Sequence, residues 1–240
     1  MRRYAVRCSC LALAALASLV ILNQAAFAGP PLICHPIEIG KARSLPWGGG
    51  ADWRSVKHDY DIHRLIGDTM ALLGPETPAI VRMETLRRAT VYSIWSARDY
   101  KVGYANKDFS VATDLLARLR ARAEDARIKG RARALALFDY GYLVETFRQS
   151  LPEDSALIRG LDGYASVAKA IELSGGDPEM EFGAALIAMD PRRGDQTAHL
   201  QKAAAGAAEG SLLAQNLIVR FGDRGKSIAE LRNNIGAGRN

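Results

Sequence analysis

The sequence predicts an all-α protein: antiparallel helical hairpins in a bundle or short solenoid-like array, preceded by an extended Pro/Gly-rich N-terminal arm. Three observations carry this prediction. Apolar residues recur at three- and four-residue steps through most of the chain after Asp52, the spacing of one helix face. Glycine, proline and capping residues interrupt those stretches at about the length of a helix. No window shows the alternation between hairpin turns that a strand requires.

Residues 1–28 read as a cleavable secretion signal. Arg2, Arg3 and Arg7 form a positive start, Cys8 to Leu22 an uncharged apolar run, and Ala26-Phe27-Ala28 a small-residue site for a cut before Gly29. The run is fifteen residues long before Asn23 and Gln24, short of the roughly 20 that span a bilayer. The expected product is exported, periplasmic or extracellular, with no integral membrane span after cleavage. Losing the leader leaves 29 Lys and Arg against 26 Asp and Glu, a net charge of +3 in place of +6. Cys8 and Cys10 leave with it, so Cys34 is the one remaining thiol and no internal disulfide can form. About 212 residues are enough for one domain with a core of its own.

Residues 29–51 carry Pro30, Pro31, Pro36, Pro46 and the Gly48-Gly49-Gly50 tract, which rules out a regular helix. Leu32, Ile33, Ile37 and Ile39 predict that this arm docks on the body. The body, residues 52–240, is expected to be a single helical domain. Its first helix should run from Trp53 to Leu73, with Val56, Tyr60, His63, Ile66, Met70 and Leu73 on one face, and stop at Gly74-Pro75. Thr77-Pro78 opens a second helix to about Trp95. After a loop around Tyr100 to Asn106, a third begins at Asp108 or Ser110, with Leu115, Leu116, Leu119 and Ala123 as its inner stripe and Gly130 as its break. Ala132 to Gln149 is apolar nearly all round, which predicts a central helix covered on several sides. Ser155–Leu173 follows after Pro152. Gly175-Gly176-Asp177-Pro178-Glu179 then supplies a C-terminal glycine, a cap, a proline and an acid in order. Four shorter helices are expected at Asp177–Met189, Asp195–Glu209, Ser211–Phe221 and Lys226–Arg232.

Ala168-Lys169-Ala170-Ile171-Glu172-Leu173 and the segment Ala185 to Pro191 resemble the helix ends of tetratricopeptide-type helical-hairpin proteins. The resemblance covers the last third of the chain. It lacks the Trp-Leu-Gly-Tyr pattern and a strict 34-residue period, and it implies stacked hairpins that bind protein.

Motifs with chemistry are sparse. Gly225-Lys226-Ser227 matches the end of a phosphate loop, but Arg220 stands where the first glycine belongs. Ser166 and Lys169 have S-x-x-K spacing without the partner motifs of penicillin-recognising enzymes. His58 and His63 are five residues apart and diverge if both lie on a helix; His63 reads as a buried histidine held by Asp59, and His199 shows no partner. Cys34 and His35 are candidate metal ligands together with His63, with a small buried hydrophobe as the plainer reading of the cysteine. No cofactor is predicted.

Charge is segregated. Ala79 to Arg133 holds 13 basic and 6 acidic residues, whereas Asp139 to Asp190 holds 3 and 10. Arg118, Arg120 and Arg122 are the candidate patch for an anionic partner. The competing expectation is self-neutralisation across the fold, with Asp114 and Arg118 an i, i+4 pair. A basic run without interleaved aromatics argues against nucleic acid. The function expected is an exported helical-hairpin module that binds another protein or envelope component, or serves as a scaffold. The alternative is a metal- or thiol-dependent protein, an enzyme among its forms, centred on Cys34 and His35.

Overall fold

Apolar spacing and end signals place nine α-helices in the described residues. The structure, a computed structural model, describes residues 29–48, 52–95 and 108–235. The expected signal segment, the loop at 100–106 and positions 49–51 lie outside them. The helices are α1 (Leu65–Leu72), α2 (Ala79–Thr90), α3 (Ser110–Glu124), α4 (Gly130–Arg148), α5 (Gly163–Ser174), α6 (Pro178–Ile187), α7 (Gln196–Gly206), α8 (Leu212–Phe221) and α9 (Ile228–Asn234). Among the described residues the sole β feature is an isolated antiparallel bridge between Trp47 and Val56. No helix of the described residues is long and apolar enough to cross a membrane.

The fold class is as the sequence predicts: all helical, with neighbouring helices packed as hairpins. α4 pairs with α5, α6 with α7, and α2 and α3 both lie on α4. α4 is the central helix that its nearly continuous apolar sequence requires, with Leu135, Phe138, Tyr142, Leu143 and Phe147 all buried. α4 and α5 approach backbone to backbone. A methyl group at Gly141 would lie 2.5 Å from the Gly163 carbonyl oxygen, so these two glycines set the spacing of that hairpin.

Caps explain several boundaries. Asp162, Asp177, Asp195, Ser211 and Ser227 each accept hydrogen bonds from main-chain N–H groups in the following helix, satisfying donors that would otherwise be orphaned. Gly175 closes α5 in the left-handed conformation, at φ 73°.

Three boundaries differ from expectation. The first helix starts with a 3-10 turn at Ile62–Arg64, not at Trp53. Residues 52–60 are drawn instead into contacts with the arm and α2: Gly48 N–H donates to the Ser55 carbonyl and Lys57 N–H to the Tyr92 hydroxyl. α5 begins at Gly163, not Ser155, because Gly160 sits at φ 73° and Asp162 caps the first turn at Ala165 N–H. Thr77 does not cap α2. Its hydroxyl donates back to the Leu72 carbonyl, and Val91–Trp95 continue α2 as a π-helical turn.

The arm docks. Leu32, Ile33, Ile37, Ile39 and Leu45 are buried, and burial of such side chains is worth about 1.5–3 kcal/mol each. Its irregular main chain is held by side chains of the body. Gln149 accepts from Leu32 N–H, Glu84 from Ile37 N–H, and Asn216 takes both main-chain groups of Glu38. Arg87 donates to the Ile33 carbonyl, Arg88 to that of Leu45, and Arg220 to those of Pro31 and His35. Side chains of the body thus pair main-chain groups of a segment that has no helix or sheet ladder of its own.

Candidate functional site

The buried arginines that hold the arm were not singled out from sequence, and they determine where the candidate ligands fall. Cys34 and His35 sit half-buried in the arm. Burial raises the Cys34 thiol pKa above its ordinary value, against the opposing influence of Arg87 and Arg54. Burial lowers that of His35, and Arg220 and Arg87 add to the effect. His63 is exposed on the 3-10 turn, correcting its reading as a buried histidine. Among the described residues no three His, Cys, Asp or Glu side chains are grouped to hold a metal, so Cys34, His35 and His63 do not form such a set.

Because the first helix starts late, His58 and His63 do not diverge on a helix. Both line one cleft of about 590 Å³ with Tyr60, Tyr92, Asp108 and Asp114.

The basic stretch divides by contact. Arg120 pairs with Glu124 at 2.8 Å on the same helix. Arg122 turns inward, donating to the Leu73 carbonyl at 3.0 Å and lying 3.8 Å from buried Asp139. Arg131 reaches Asp177 at 3.9 Å. Arg118 is exposed, and the expected pair with Asp114 is absent from the ion pairs of the described residues. Arg120 and Arg122 are thus each engaged within the chain, while Arg118 and Arg122 line one shallow depression. Ser166 and Lys169 are also separately engaged, with the Asp162 carbonyl and Glu172 respectively.

A second cleft, of about 430 Å³, forms where the first arm residues meet the C-terminal end of α4 and the α6–α7 turn. Its apolar lining comes from Pro30, Pro31, Leu151, Ile187 and Met189. Its charge comes from Arg148, Arg192 and Arg193 facing Glu145, Glu153 and Asp190. Helix periodicity brings Glu145 and Arg148 together one turn apart. The Asp190-Pro191-Arg192-Arg193 turn, read from sequence only as a helix end, delivers the other two arginines.

The pairing inside this cleft is uneven. Arg192, at the exposed rim, is engaged by Asp190 at 2.8 Å and lies 3.7 Å from Glu153. Those hydrogen bonds hold the Asp190 carboxyl below its ordinary pKa. Deeper in, Glu145 is buried, and its Oε1 accepts from the main-chain N–H groups of Gly163 and Tyr164 at 3.1 and 3.2 Å. That carboxylate therefore serves the start of α5. Its Oε2 stands 3.5 Å from Arg148 Nε and 3.6 Å from Arg193 Nε, attracting both at ion-pair range.

No protein-family model, curated protein or solved structure matches this chain. The geometry itself is therefore the guide to function.

A third constellation escaped the sequence. His199, expected to be partnerless, places Nδ1 2.5 Å from Glu181 Oε2 and Nε2 2.7 Å from the Tyr164 hydroxyl. The order of a phenol, an imidazole and a buried carboxylate is that of a nucleophile relay. Burial, Glu181 and Asp195 all raise the Tyr164 pKa, which keeps the phenol protonated. Its hydroxyl abuts Gly194 so closely that a methyl group there would overlap it, and neither cleft described above includes it. The trio ties α5, α6 and α7 together. No signal in the sequence marks it, since the three residues are 17 to 35 positions apart and join only after two hairpins pack.

Proposed function

We propose that this chain is an exported protein-binding module and that the cleft between the arm and the α6–α7 turn is its contact site. The observation that carries the reading is the composition of that cleft: an apolar lining inside a ring of charged groups, built from three separate parts of the chain. Binding sites for other molecules combine an apolar surface with a few placed polar groups in this way. The helical-hairpin architecture supports the same reading, because packed hairpins present side chains from several helices on a stable frame. The leader pattern of Arg2, Arg3 and Arg7, the apolar run and Ala26-Phe27-Ala28 supports export. Removal of the leader would put the new amino terminus at Gly29, which itself lines the cleft.

The test is site-specific photo-crosslinking in the native host. A photoreactive residue replaces Met189 in the cleft and, as a control, exposed Val219 on α8. The expected result is a discrete protein adduct at position 189 that is absent at 219, on a chain whose N-terminal residue is Gly29. Equal adducts at both positions, or none at 189, would reject the cleft as a protein contact. A retained leader would reject export as described.

A further inference from the structure

We infer that the cleft takes a carboxylate joined to an apolar chain, with the carboxylate seated between Arg148 and Arg193. The inference rests on reading this cleft as a binding site and adds the chemistry of what it binds.

It starts from hydrogen-bond donors that lack acceptors. The Arg148 and Arg193 side chains are only 20 % and 23 % exposed. A guanidinium carries several N–H donors in a rigid fork and cannot give up its charge. Among the described residues, the one hydrogen bond from either guanidinium runs from Arg148 Nη2 to the Leu161 carbonyl. Arg148 Nε is shielded from solvent without a hydrogen-bond partner. Buried donors in this condition are costly.

Glu145 does not relieve it. One oxygen is committed to two main-chain N–H groups, and the other stands at ion-pair range of both arginines. The side chains of the inner group, Glu145, Arg148 and Arg193, therefore sum to one excess positive charge, and an amino terminus at Gly29 would add to it. At the rim Arg192 is already engaged by two carboxylates, Asp190 and Glu153, so a second anion is disfavoured there. The excess charge is local to the inner end of the cleft.

Two features narrow the anion. A guanidinium fork matches a planar carboxylate in two parallel hydrogen bonds. Leu151, Ile187 and Met189 line the same space, so an apolar group attached to the carboxylate gains burial there that a bare anion does not. A peptide's C-terminal residue with an aliphatic side chain has this chemistry, and so does a medium-chain fatty acid. Gln149 also lines the cleft, but its Oε1 is occupied by Leu32 N–H. The arginines are thus the anchors.

The test is titration of the purified protein, followed by calorimetry and by chemical-shift changes. The probes are a short peptide ending in leucine, its C-terminal amide, octanoate and acetate. Saturable binding of the peptide acid or octanoate is expected, with the tighter of the two identifying the source of the carboxylate. The amide should bind at least about tenfold more weakly, and acetate should not saturate. Arg193→Gln, which removes no other hydrogen bond, should weaken binding by about tenfold or more. Arg148→Gln should do the same where it folds, and Arg127→Gln, at an exposed position outside the cleft, should change it little. Equal binding of acid and amide, no effect of Arg193→Gln, or no saturable binding by either acid would overturn the inference. A cross-linked protein partner without carboxylate binding would reject this chemistry alone. Carboxylate binding without a protein adduct would reject the protein-binding reading alone.

Discussion

Asp139 is a carboxyl group inside the α2–α4 contact, fully buried with Arg82 Nη1 2.6 Å from its Oδ2. Burial pushes its pKa up to about 6 although Arg82 and Arg122 both pull it down, and its Oδ1 has no hydrogen-bond partner. These facts fix the sign of the pH effect. A group that holds its proton more tightly when folded stabilises the fold at low pH and loses that contribution as pH rises through the folded pKa. Asp139 should therefore cost stability progressively between about pH 4 and 6, by ~2–3 kcal/mol at most. Asp139→Asn should flatten this slope, measured as the urea midpoint against pH. An unchanged slope would show that Arg82 keeps the carboxylate charged throughout. Glu84 has the opposite sign: burial opposes its charge, but Arg87 and Arg88 together hold its pKa below the ordinary value. Its contribution is present above the ordinary carboxylate range and is lost as pH falls. Glu84 is not visible as buried in the sequence, because α2 carries arginines, glutamate and threonines on every face.

Among the elements, the α4–α5 hairpin depends on two glycines that replace side-chain packing with main-chain contact. Gly141→Ala should force the helices apart against the Gly163 carbonyl and the Ser166 and Val167 side chains. A cost of about 1–3 kcal/mol is expected, as for other overpacked sites, read from thermal or urea unfolding. Alanine at Gly67 on α1, where nothing lies within 4 Å, should instead gain about 0.5–1 kcal/mol of helix propensity. Such elements were legible where a local signal existed. Asp177-Pro178 and Gly175 mark the α5–α6 turn, and the apolar stripe of α3 is buried at Leu115, Leu116, Leu119 and Ala123 as its spacing requires. Legibility failed where distant residues decided the outcome. The periodic residues from Trp53 to Tyr60 are claimed by Trp47, Tyr92 and the arm, so no helix forms there. The candidate cleft was invisible for the same reason. Arg148 and Arg193 are 45 positions apart, and only the stacking of α4 against α6 brings both to Glu145.

At the scale of the molecule, the arm is part of the core and not an appendage. Arg220 on α8 closes it, donating to the Pro31 and His35 carbonyls, while burial lowers its own pKa to about 10. It remains charged at neutral pH. Arg220→Met removes those donors and leaves arm carbonyls without partners, so a loss of about 2–4 kcal/mol is expected. Limited proteolysis should then cut first within residues 29–48. Global unfolding without preferential cutting there would show that the arm has no separate opening step. The same contact fixes an order of events during synthesis. His35 leaves the ribosome 185 residues ahead of Arg220, and Glu38 leaves 178 ahead of Asn216. At about 5–20 residues per second, the arm waits roughly 10–40 s for α8 to be made. Within that interval Glu84, Arg87 and Gln149 are made first and can hold part of the arm, and its docking is completed only once α8 emerges.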